Sequence, residues 1–322
     1  MIYLHPGLGK TGTTWLQTSV FPELLRQGYL DSFNQEETVK HSLECAFGGE
    51  PSSGRYDFNH SGTHLISREE LAGCNPAIWK ARADNLLRCF GPDTLVILTL
   101  RHPREYLRSV YQQMVAQGVL LRPDAFFVKN ESSTNARAAT RWTLTETFEI
   151  DEFLYERLID LYQERFSRVL VIPFEDVKDL SFLRRLDFWH SDKFDDSLMA
   201  QSKSPSNRAY SAIGMRLTFA RERLIRFFGM RSINSCDRYL LNNYALIPDF
   251  TRRFNELSRY EKIQQLPTKF ASKYLTWRGF IQNIFDKVVP YKKWDFPDGQ
   301  YLGRHYERNL HFYNTLREGS EL

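Results

Sequence analysis

The sequence has little cysteine and no long apolar run. Its four cysteines, Cys45, Cys74, Cys89 and Cys236, form no CxxC pair, and no cysteine–histidine ligand pattern stands out among them. The cysteines therefore predict neither a disulfide framework nor a metal site, and they favour a reducing, cytoplasmic compartment. No stretch approaches the roughly 18 consecutive apolar residues that a membrane-spanning helix needs, and the start of the chain does not resemble a secretory signal.

A strong charge of one sign is also absent. The 322 residues carry 43 Lys and Arg against 39 Asp and Glu, a formal net charge of +4. This small excess fits an anionic ligand and does not call for a nucleic-acid or membrane partner. A hydrophobic share of 42% and a charged share of 25% are ordinary for a globular protein, so a sizeable core is expected.

Strand and helix patterns alternate over the first part of the chain. Apolar runs predict strands at "IYLH" (2–5), "THLIS" (63–67), "DTLVILTL" (93–100) and "RVLVIPF" (168–174). Helical patterns lie between them, in residues 11–28, 75–91, 103–118 and 151–167. This order predicts an α/β fold with a central parallel sheet flanked by helices.

Other parts of the chain depart from this alternation. Residues 31–62 are polar and rich in Gly and Ser, which predicts a mobile excursion before the second strand. After about residue 192 the strand signals fade and helices and loops follow, as in "AIGMRLTFARERLIRFFG". We therefore expect an α/β core over residues 1–192 and a mainly helical extension over residues 193–322 that belongs to the same domain and completes the cofactor and acceptor site.

The segment "HPGLGKTGTTWLQ" (5–17) follows the first predicted strand and contains a Gly-Lys-Thr sequence. A Walker loop, GxxxxGK[ST], with its Lys at position 10 needs Gly at position 4, where the chain has Leu4 inside the strand. The register therefore argues against a nucleoside triphosphatase. An anion is instead expected at the start of the next helix, where N–H groups, hydroxyls and one ammonium are supplied by Gly9, Lys10, Thr11, Gly12, Thr13, Thr14 and Trp15.

This segment resembles the 5′-phosphosulfate-binding loop of sulfotransferases that use 3′-phosphoadenosine 5′-phosphosulfate (PAPS), particularly the bacterial type with KTGTT and LQ. The resemblance implies a P-loop-like sulfotransferase core, PAPS as the sulfuryl donor and no required metal. It also implies a 3′-phosphate site made by an Arg at the end of a central strand and a Ser early in the next helix. The segment "LTLRHPREYLRSVYQQ" supplies Arg101 and Ser109 at those places.

Further segments resemble the family more weakly but in the expected order: "LISREEL", "VLVIPFEDV" and "YERNLHFYN". The segment "SPSNRAYS" (204–211) lies where related bacterial enzymes carry an Asn-Arg/Ser patch, which implies that Asn207 and Arg208 contact the nucleotide. One departure is that the sequence lacks the Arg-Lys-Gly loop with which the cytosolic animal enzymes complete their 3′-phosphate site.

Sulfuryl transfer by in-line displacement needs a group that stabilises the leaving phosphate oxygen and a base that takes the acceptor's proton. We expect Lys10 to serve the leaving oxygen, assisted by the two threonines after Gly12. For the base, Glu69 in "ISREEL" is the first candidate and Glu70 is its competitor. Histidine is the base in some related enzymes, which leaves as alternates His60, His64 and His102.

The sequence therefore predicts a PAPS-dependent sulfotransferase that transfers a sulfuryl group to a hydroxyl or amine and releases 3′-phosphoadenosine 5′-phosphate (PAP). Small-molecule, carbohydrate, lipid-linked, polyketide and peptide acceptors all stay open. Two alternatives stay open as well. A small-molecule kinase is disfavoured by Leu4 and by the lack of a clear Mg²⁺-holding Asp after a central strand, and a nucleotide-binding module without catalysis is disfavoured by the presence of Lys10 and Glu69.

Overall fold

The chain forms two compact units in the computed structural model, which describes residues 1–46, 62–117, 121–129, 147–189, 210–228, 289, 291–296 and 301–319. The first unit comprises Met1–Leu107, Phe127–Ser206 and Gln300–Leu322, and the second comprises Arg108–Phe126 and Asn207–Gly299. None of the helices in the described ranges combines the length and the apolar character that crossing a membrane requires.

The first unit is built on a five-stranded parallel sheet. Its strands are β1 (Ile2–His5), β2 (Ser32–Phe33), β3 (His64–Ser67), β4 (Leu95–Leu100) and β7 (Arg168–Pro173). They lie in the order β2-β3-β1-β4-β7, and every neighbouring pair is parallel. A separate two-stranded parallel sheet pairs β5 (Phe127–Val128) with β6 (Phe148–Glu149). The predicted central parallel sheet flanked by helices is confirmed.

The helices of the first unit follow the predicted alternation. In chain order the helices of both units are α1 (Thr13–Trp15), α2 (Phe21–Arg26), α3 (Glu36–Ala46), α4 (Pro76–Phe90), α5 (Pro103–Gln117), α6 (Pro123–Phe126), α7 (Tyr155–Gln163), α8 (Phe174–Asp179), α9 (Ala212–Phe227) and α10 (Tyr306–Arg317). Short 3₁₀ turns span Ile150–Glu152 and Ser181–Arg185. Local chemistry sets the bounds of α4, since Asn75 accepts a hydrogen bond from the Ala77 N–H, Pro76 starts the helix and Gly91 ends it.

Strand β4 shows why the sheet is central. All six of its residues are buried, as expected for a parallel strand with both faces covered. It pairs with β7 along its whole length, from Leu95 opposite Arg168 to Leu100 opposite Pro173. The apolar side chains of β1, β4 and β7 meet those of the first helices in one buried cluster, which includes Tyr3, Ile97, Ile172, Leu16 and Leu24. The sheet therefore forms a rigid base for the loops that follow its strands.

The helix predicted over residues 11–28 is interrupted. Leu16–Val20, between α1 and α2, is a π-helical turn. Pro22 explains the widening, because in a regular α-helix its ring would clash with the carbonyl of Thr18 and it has no N–H to donate. The Thr18 hydroxyl turns back and donates to the carbonyl of Thr14 (2.8 Å).

The predicted mobile excursion over residues 31–62 is wrong for its first half. Residues 32–33 form β2 at the edge of the sheet, and Glu36–Ala46 forms α3. Apolar residues recur on this helix at Val39, Leu43 and Ala46, a helical spacing that the Gly/Ser-rich sequence farther on obscured. Residues 47–61 lie outside the described part of the chain.

The second unit contains helix and aromatic packing. Helix α9 spans Ala212–Phe227, which confirms the helix expected there. Just before it, Ser211 forms an isolated antiparallel bridge with Lys293. Tyr111 packs its ring against Trp294 (5.1 Å between centroids) and Phe296 (6.2 Å). These contacts give the unit an aromatic core.

Candidate functional site

The candidate site lies at the carboxyl edge of the sheet, where the loops after β1 and β4 are neighbours. The chain leaves β1 toward β2 and leaves β4 toward β7, at opposite edges of the sheet. Ligands of open α/β sheets bind at such a change of direction. The first loop carries Lys10 and the second begins with Arg101.

Three residues of the loop after β1 have a positive φ, the left-handed backbone region. Gly7, Lys10 and Gly12 have φ angles of 46°, 75° and 86°. A Cβ on Gly7 would lie 2.7 Å from the Thr13 methyl carbon, and one on Gly12 would lie 2.9 Å from the ring of Phe174. Both positions therefore require glycine. Lys10 adopts the same backbone region with a side chain present, which costs roughly 1–2 kcal/mol and is the kind of strain found at functional sites.

Hydrogen bonds from the sheet hold this loop from below. The Thr11 hydroxyl donates to the carbonyl of Leu8 (2.6 Å), so its contact with Thr99 (2.6 Å) is one in which Thr99 donates. The Thr99 oxygen in turn accepts from the Nε2–H of His5 (3.4 Å). Thr11, the residue after Lys10, is thereby tied to β1 and β4.

The same chain of hydrogen bonds continues through β3. With its proton on Nε2, His5 accepts at Nδ1 from the Ser67 hydroxyl (2.7 Å). Ser67 Oγ accepts from the Gln17 amide (3.2 Å), and the Ser67 carbonyl accepts from the same amide (3.0 Å). Residues on both sides of the loop are therefore joined through one buried imidazole.

His5 is a positioning residue that the sequence did not reveal. It is fully buried, and this burial lowers the pKa of its imidazole from 6.5 to about 4. It is therefore neutral at pH 7 and can both donate and accept, as the hydrogen bonds require. A polar residue closing the apolar run "IYLH" was the available signal, although a single histidine there has no obvious partner in the sequence.

Arg101 lies against the loop. Its Nη1 donates to the carbonyl of Lys10 (3.0 Å), and its guanidinium lies over the ring of Phe174, 5.1 Å from the centroid. Nη2 lies 3.5 Å from a carboxylate oxygen of Glu105, so part of its charge is balanced by an ion pair. The structure therefore brings Lys10 and Arg101, predicted from separate motifs, to one place.

The candidate base Glu69 also contacts the loop. Its carboxylate accepts a hydrogen bond from the Thr13 hydroxyl (2.9 Å) and lies 3.5 Å from where a Cβ on Gly9 would be. The pKa of its neighbour Glu70 is raised, first by burial and then by the charge of Glu69. Burial also raises the pKa of the Cys74 thiol beneath Gly9 to about 12, so this thiol stays protonated. Glu69 is thus the carboxylate in contact with the loop.

His102, the alternate base, faces a different set of groups. Its ring meets the ring of Tyr313 edge-on, 6.1 Å between centroids, and Tyr313 donates its hydroxyl hydrogen to Glu175. Burial lowers the pKa of His102, more than Glu105 and Glu175 raise it. Its buried Nδ1 has no hydrogen-bond partner among the described residues. The structure therefore does not join His102 to the Thr13–Glu69 contact by a hydrogen bond.

The other predicted residues are placed as follows. Thr14 is exposed, and Trp15 is half-buried against the core. Ser109 is half-buried on α5, in the part of that helix that belongs to the second unit. His64 shares a hydrogen bond between its Nδ1 and the hydroxyl of Ser32 (2.8 Å), which links β2 to β3. Outside the described residues lie His60, Asn207 and Arg208.

Neither a protein-family model nor a curated protein matches this sequence significantly. The residues themselves therefore carry the functional argument. Lys10 and Arg101 place two cationic side chains on neighbouring loops, and Glu69 adds one carboxylate. Such a set can bind an anion through charge and hydrogen bonds and can accept a proton beside it.

The prediction that the cysteines form no metal site did not take account of one spacing. His41 and Cys45 are four residues apart, which places them one turn apart on α3. Cys89, on α4, brings a third donor atom to the same place. This group is separate from the candidate anion site and is considered below.

Proposed function

We propose that this chain is a PAPS-dependent sulfotransferase with a P-loop-like core. The observation that carries the proposal is the contact between Arg101 and the Lys10 carbonyl (3.0 Å), which brings the two halves of the sulfotransferase-like motif together at the carboxyl edge of the sheet. In this proposal Arg101 binds the 3′-phosphate.

Lys10 stabilises the oxygen of the sulfur–oxygen bond that breaks. During transfer the sulfur–oxygen bond to the 5′-phosphate breaks while a bond to the acceptor oxygen or nitrogen forms, and the electron pair stays on the phosphate oxygen. An ammonium near that oxygen stabilises the charge it gains. The hydrogen bond between the hydroxyls of Thr99 and Thr11 and the left-handed backbone at Lys10 fix the shape of the loop before substrate binds. Little reorganisation is therefore needed.

Glu69 acts on the acceptor, which forms the new bond to sulfur. The acceptor's hydroxyl or amine loses a proton as it attacks sulfur, and a carboxylate beside the loop takes that proton. Glu69 is favoured over Glu70 because its carboxylate accepts a hydrogen bond from Thr13 on the loop. His102 is the alternate candidate for the base.

An assay of sulfuryl transfer tests the proposal. The full chain is incubated with PAPS carrying radioactive sulfur and with a panel of phenols, alcohols, carbohydrates, lipid-linked hydroxyls and amines. We expect label to appear on at least one acceptor class together with PAP, and we expect Glu69→Gln to abolish transfer while PAP still binds. Glu37→Gln, a change at an exposed glutamate at the start of α3, is the matched control.

The outcomes separate the proposed enzyme from its rivals. Tight PAP binding without transfer to any acceptor would contradict the enzyme and favour a nucleotide-binding module. Phosphoryl transfer from ATP with Mg²⁺ would favour the kinase. Normal transfer by Glu69→Gln would move the base to Glu70 or His102.

A further inference from the structure

Three metal-ligating side chains meet where α3 and α4 pack together. His41 and Cys45 lie on α3, and Cys89 lies near the end of α4. Their imidazole nitrogen and two sulfur atoms all lie within 4.8 Å of one another. All three residues are buried, with exposed fractions of 5%, 0% and 1%. The two helix ends are also joined by the Asn85 amide, which donates to the Ala46 carbonyl (3.1 Å).

We propose that His41, Cys45 and Cys89 bind one thiophilic d¹⁰ metal ion, Zn²⁺ or Cu⁺. Two thiolates and an imidazole form the donor set that both ions prefer over harder cations. The proposal is independent of the proposed sulfuryl transfer, because none of the three residues belongs to the loop or to its supporting hydrogen bonds.

The distances between donor atoms fit such an ion. A Zn–S bond of about 2.3 Å and a Zn–N bond of about 2.0 Å at a tetrahedral angle place sulfur and nitrogen about 3.5 Å apart. The Cys45 sulfur lies 3.6 Å from Nε2 of His41. The widest pair, at no more than 4.8 Å, needs a contraction of about 1 Å, which side-chain rotation of Cys89 can supply.

Charge balance also favours an ion. Binding converts each thiol to a thiolate and releases two protons to solvent, so Zn²⁺ with two thiolates and a neutral imidazole carries no net charge. A neutral complex suits a buried place.

Two other accounts of the cluster make different predictions. In one, the cysteines are ordinary core residues and the Cys45 thiol is hydrogen-bonded to His41 at 3.6 Å. In the other, Cys45 and Cys89 form a disulfide under oxidising conditions. Cys74 offers a matched control, since it is a free cysteine that does not belong to this group.

A metal titration of the full chain distinguishes these accounts. The protein is reduced, stripped of metal and titrated with Co²⁺ as a coloured substitute for Zn²⁺, and separately with Cu⁺ under anaerobic conditions against a coloured chelator. We expect saturation at one equivalent for at least one ion, with a sulfur-to-metal charge-transfer band, displacement of Co²⁺ by Zn²⁺ if Zn²⁺ is the ion, and a higher melting temperature when metal is bound.

Variants assign the ligands. Cys45→Ser and Cys89→Ser are expected to lower metal affinity by more than about 10-fold, since even outer-shell partners of a metal are worth roughly 10–100-fold. Cys74→Ser is expected to bind as the unchanged protein does. His41→Asn should lower affinity while the two-thiolate band persists, and circular dichroism checks that each variant is folded.

Several results would overturn the metal site. One is that neither ion binds with a charge-transfer band. Another is that Cys45→Ser and Cys89→Ser bind metal with unchanged affinity, and a third is that Cys74→Ser loses as much metal affinity as they do. Recovery of a Cys45–Cys89 disulfide from protein that takes up neither ion after reduction would support the redox account instead. The melting-temperature shift of the unchanged protein provides a readout that does not depend on whether the variants fold.

Discussion

Lys10 combines a strained backbone with the charge that the proposed reaction needs most. Its left-handed φ of 75° is maintained because the next residue is tied to the sheet and the Lys10 carbonyl is bound by Arg101. A strained conformation persists only when its surroundings enforce it. The loop is therefore shaped before any ligand arrives.

We expect Lys10→Ala to lower the rate of sulfuryl transfer by about 100- to 1,000-fold while PAP affinity falls by less than about 10-fold. The ammonium is needed most when charge develops on the leaving oxygen, so its loss affects the transition state more than the bound product. Turnover by radioactive transfer and PAP affinity by calorimetry are compared with Lys80→Ala, an exposed lysine on α4. Equal losses of rate and affinity would contradict this role.

In the proposed function Arg101 binds the 3′-phosphate end of the nucleotide and not its 5′ end. Arg101→Ala should weaken PAP by about 10- to 100-fold, the worth of a charged hydrogen bond, and should weaken adenosine 5′-phosphosulfate much less, because that ligand has no 3′-phosphate. Calorimetric titration of both ligands measures the difference, with Arg308→Ala as a matched exposed control that removes an ion pair with Glu156. The same loss for both ligands would limit Arg101 to supporting Lys10.

His5 makes the stability of the chain depend on pH. Its pKa falls from 6.5 to about 4 on folding. Between pH 6.5 and pH 4 the unfolded chain therefore binds a proton at this residue and the folded chain does not. The free energy of unfolding should therefore decrease as the pH falls from 6.5 to 4, by about 3 kcal/mol from this residue. Urea unfolding at several pH values should show a smaller decrease for His5→Gln. An unchanged pH dependence would contradict the buried neutral imidazole.

Long, regular elements could be predicted from the sequence, and short or irregular ones could not. The six-residue apolar run of β4 and the capped helix α4 carry unambiguous signals. Strand β2 has two residues and is defined by its pairing with β3, which local sequence does not show. The π-helical turn depends on a single residue, Pro22, within an otherwise helical pattern.

Helix α10 stabilises the start of α7 through one side chain. Asn309 is 1% exposed, accepts from the Tyr155 N–H (2.8 Å) and donates to the Phe153 carbonyl (2.8 Å). Asn309→Ala would leave both backbone groups buried without these partners, so we expect a loss of about 2–3 kcal/mol in the free energy of unfolding. Asn314→Ala, on the exposed face of the same helix, should change it by less than about 0.5 kcal/mol. Urea unfolding measures both variants. Equal losses of stability in the two would contradict this role of Asn309.

At the scale of the whole chain, the contacts that the sequence could not predict are those between distant segments. Lys10 and Arg101 could be predicted separately because each follows a strand, yet their contact depends on the sheet order. The proximity of Cys89 to His41 and Cys45 depends on the packing of two helices, and only the His41–Cys45 spacing is visible in the sequence. The candidate site residues therefore had a local signal in the sequence, whereas the groups that hold them in place did not.

The central claim is that the loop binds a nucleotide with a 3′-phosphate. Calorimetric titration of the full chain with PAP, without added metal, and separately with ATP plus Mg²⁺ tests it most directly. The account predicts saturable PAP binding that is tighter than ATP binding. Tighter binding of ATP with Mg²⁺ would contradict the account and would favour the kinase.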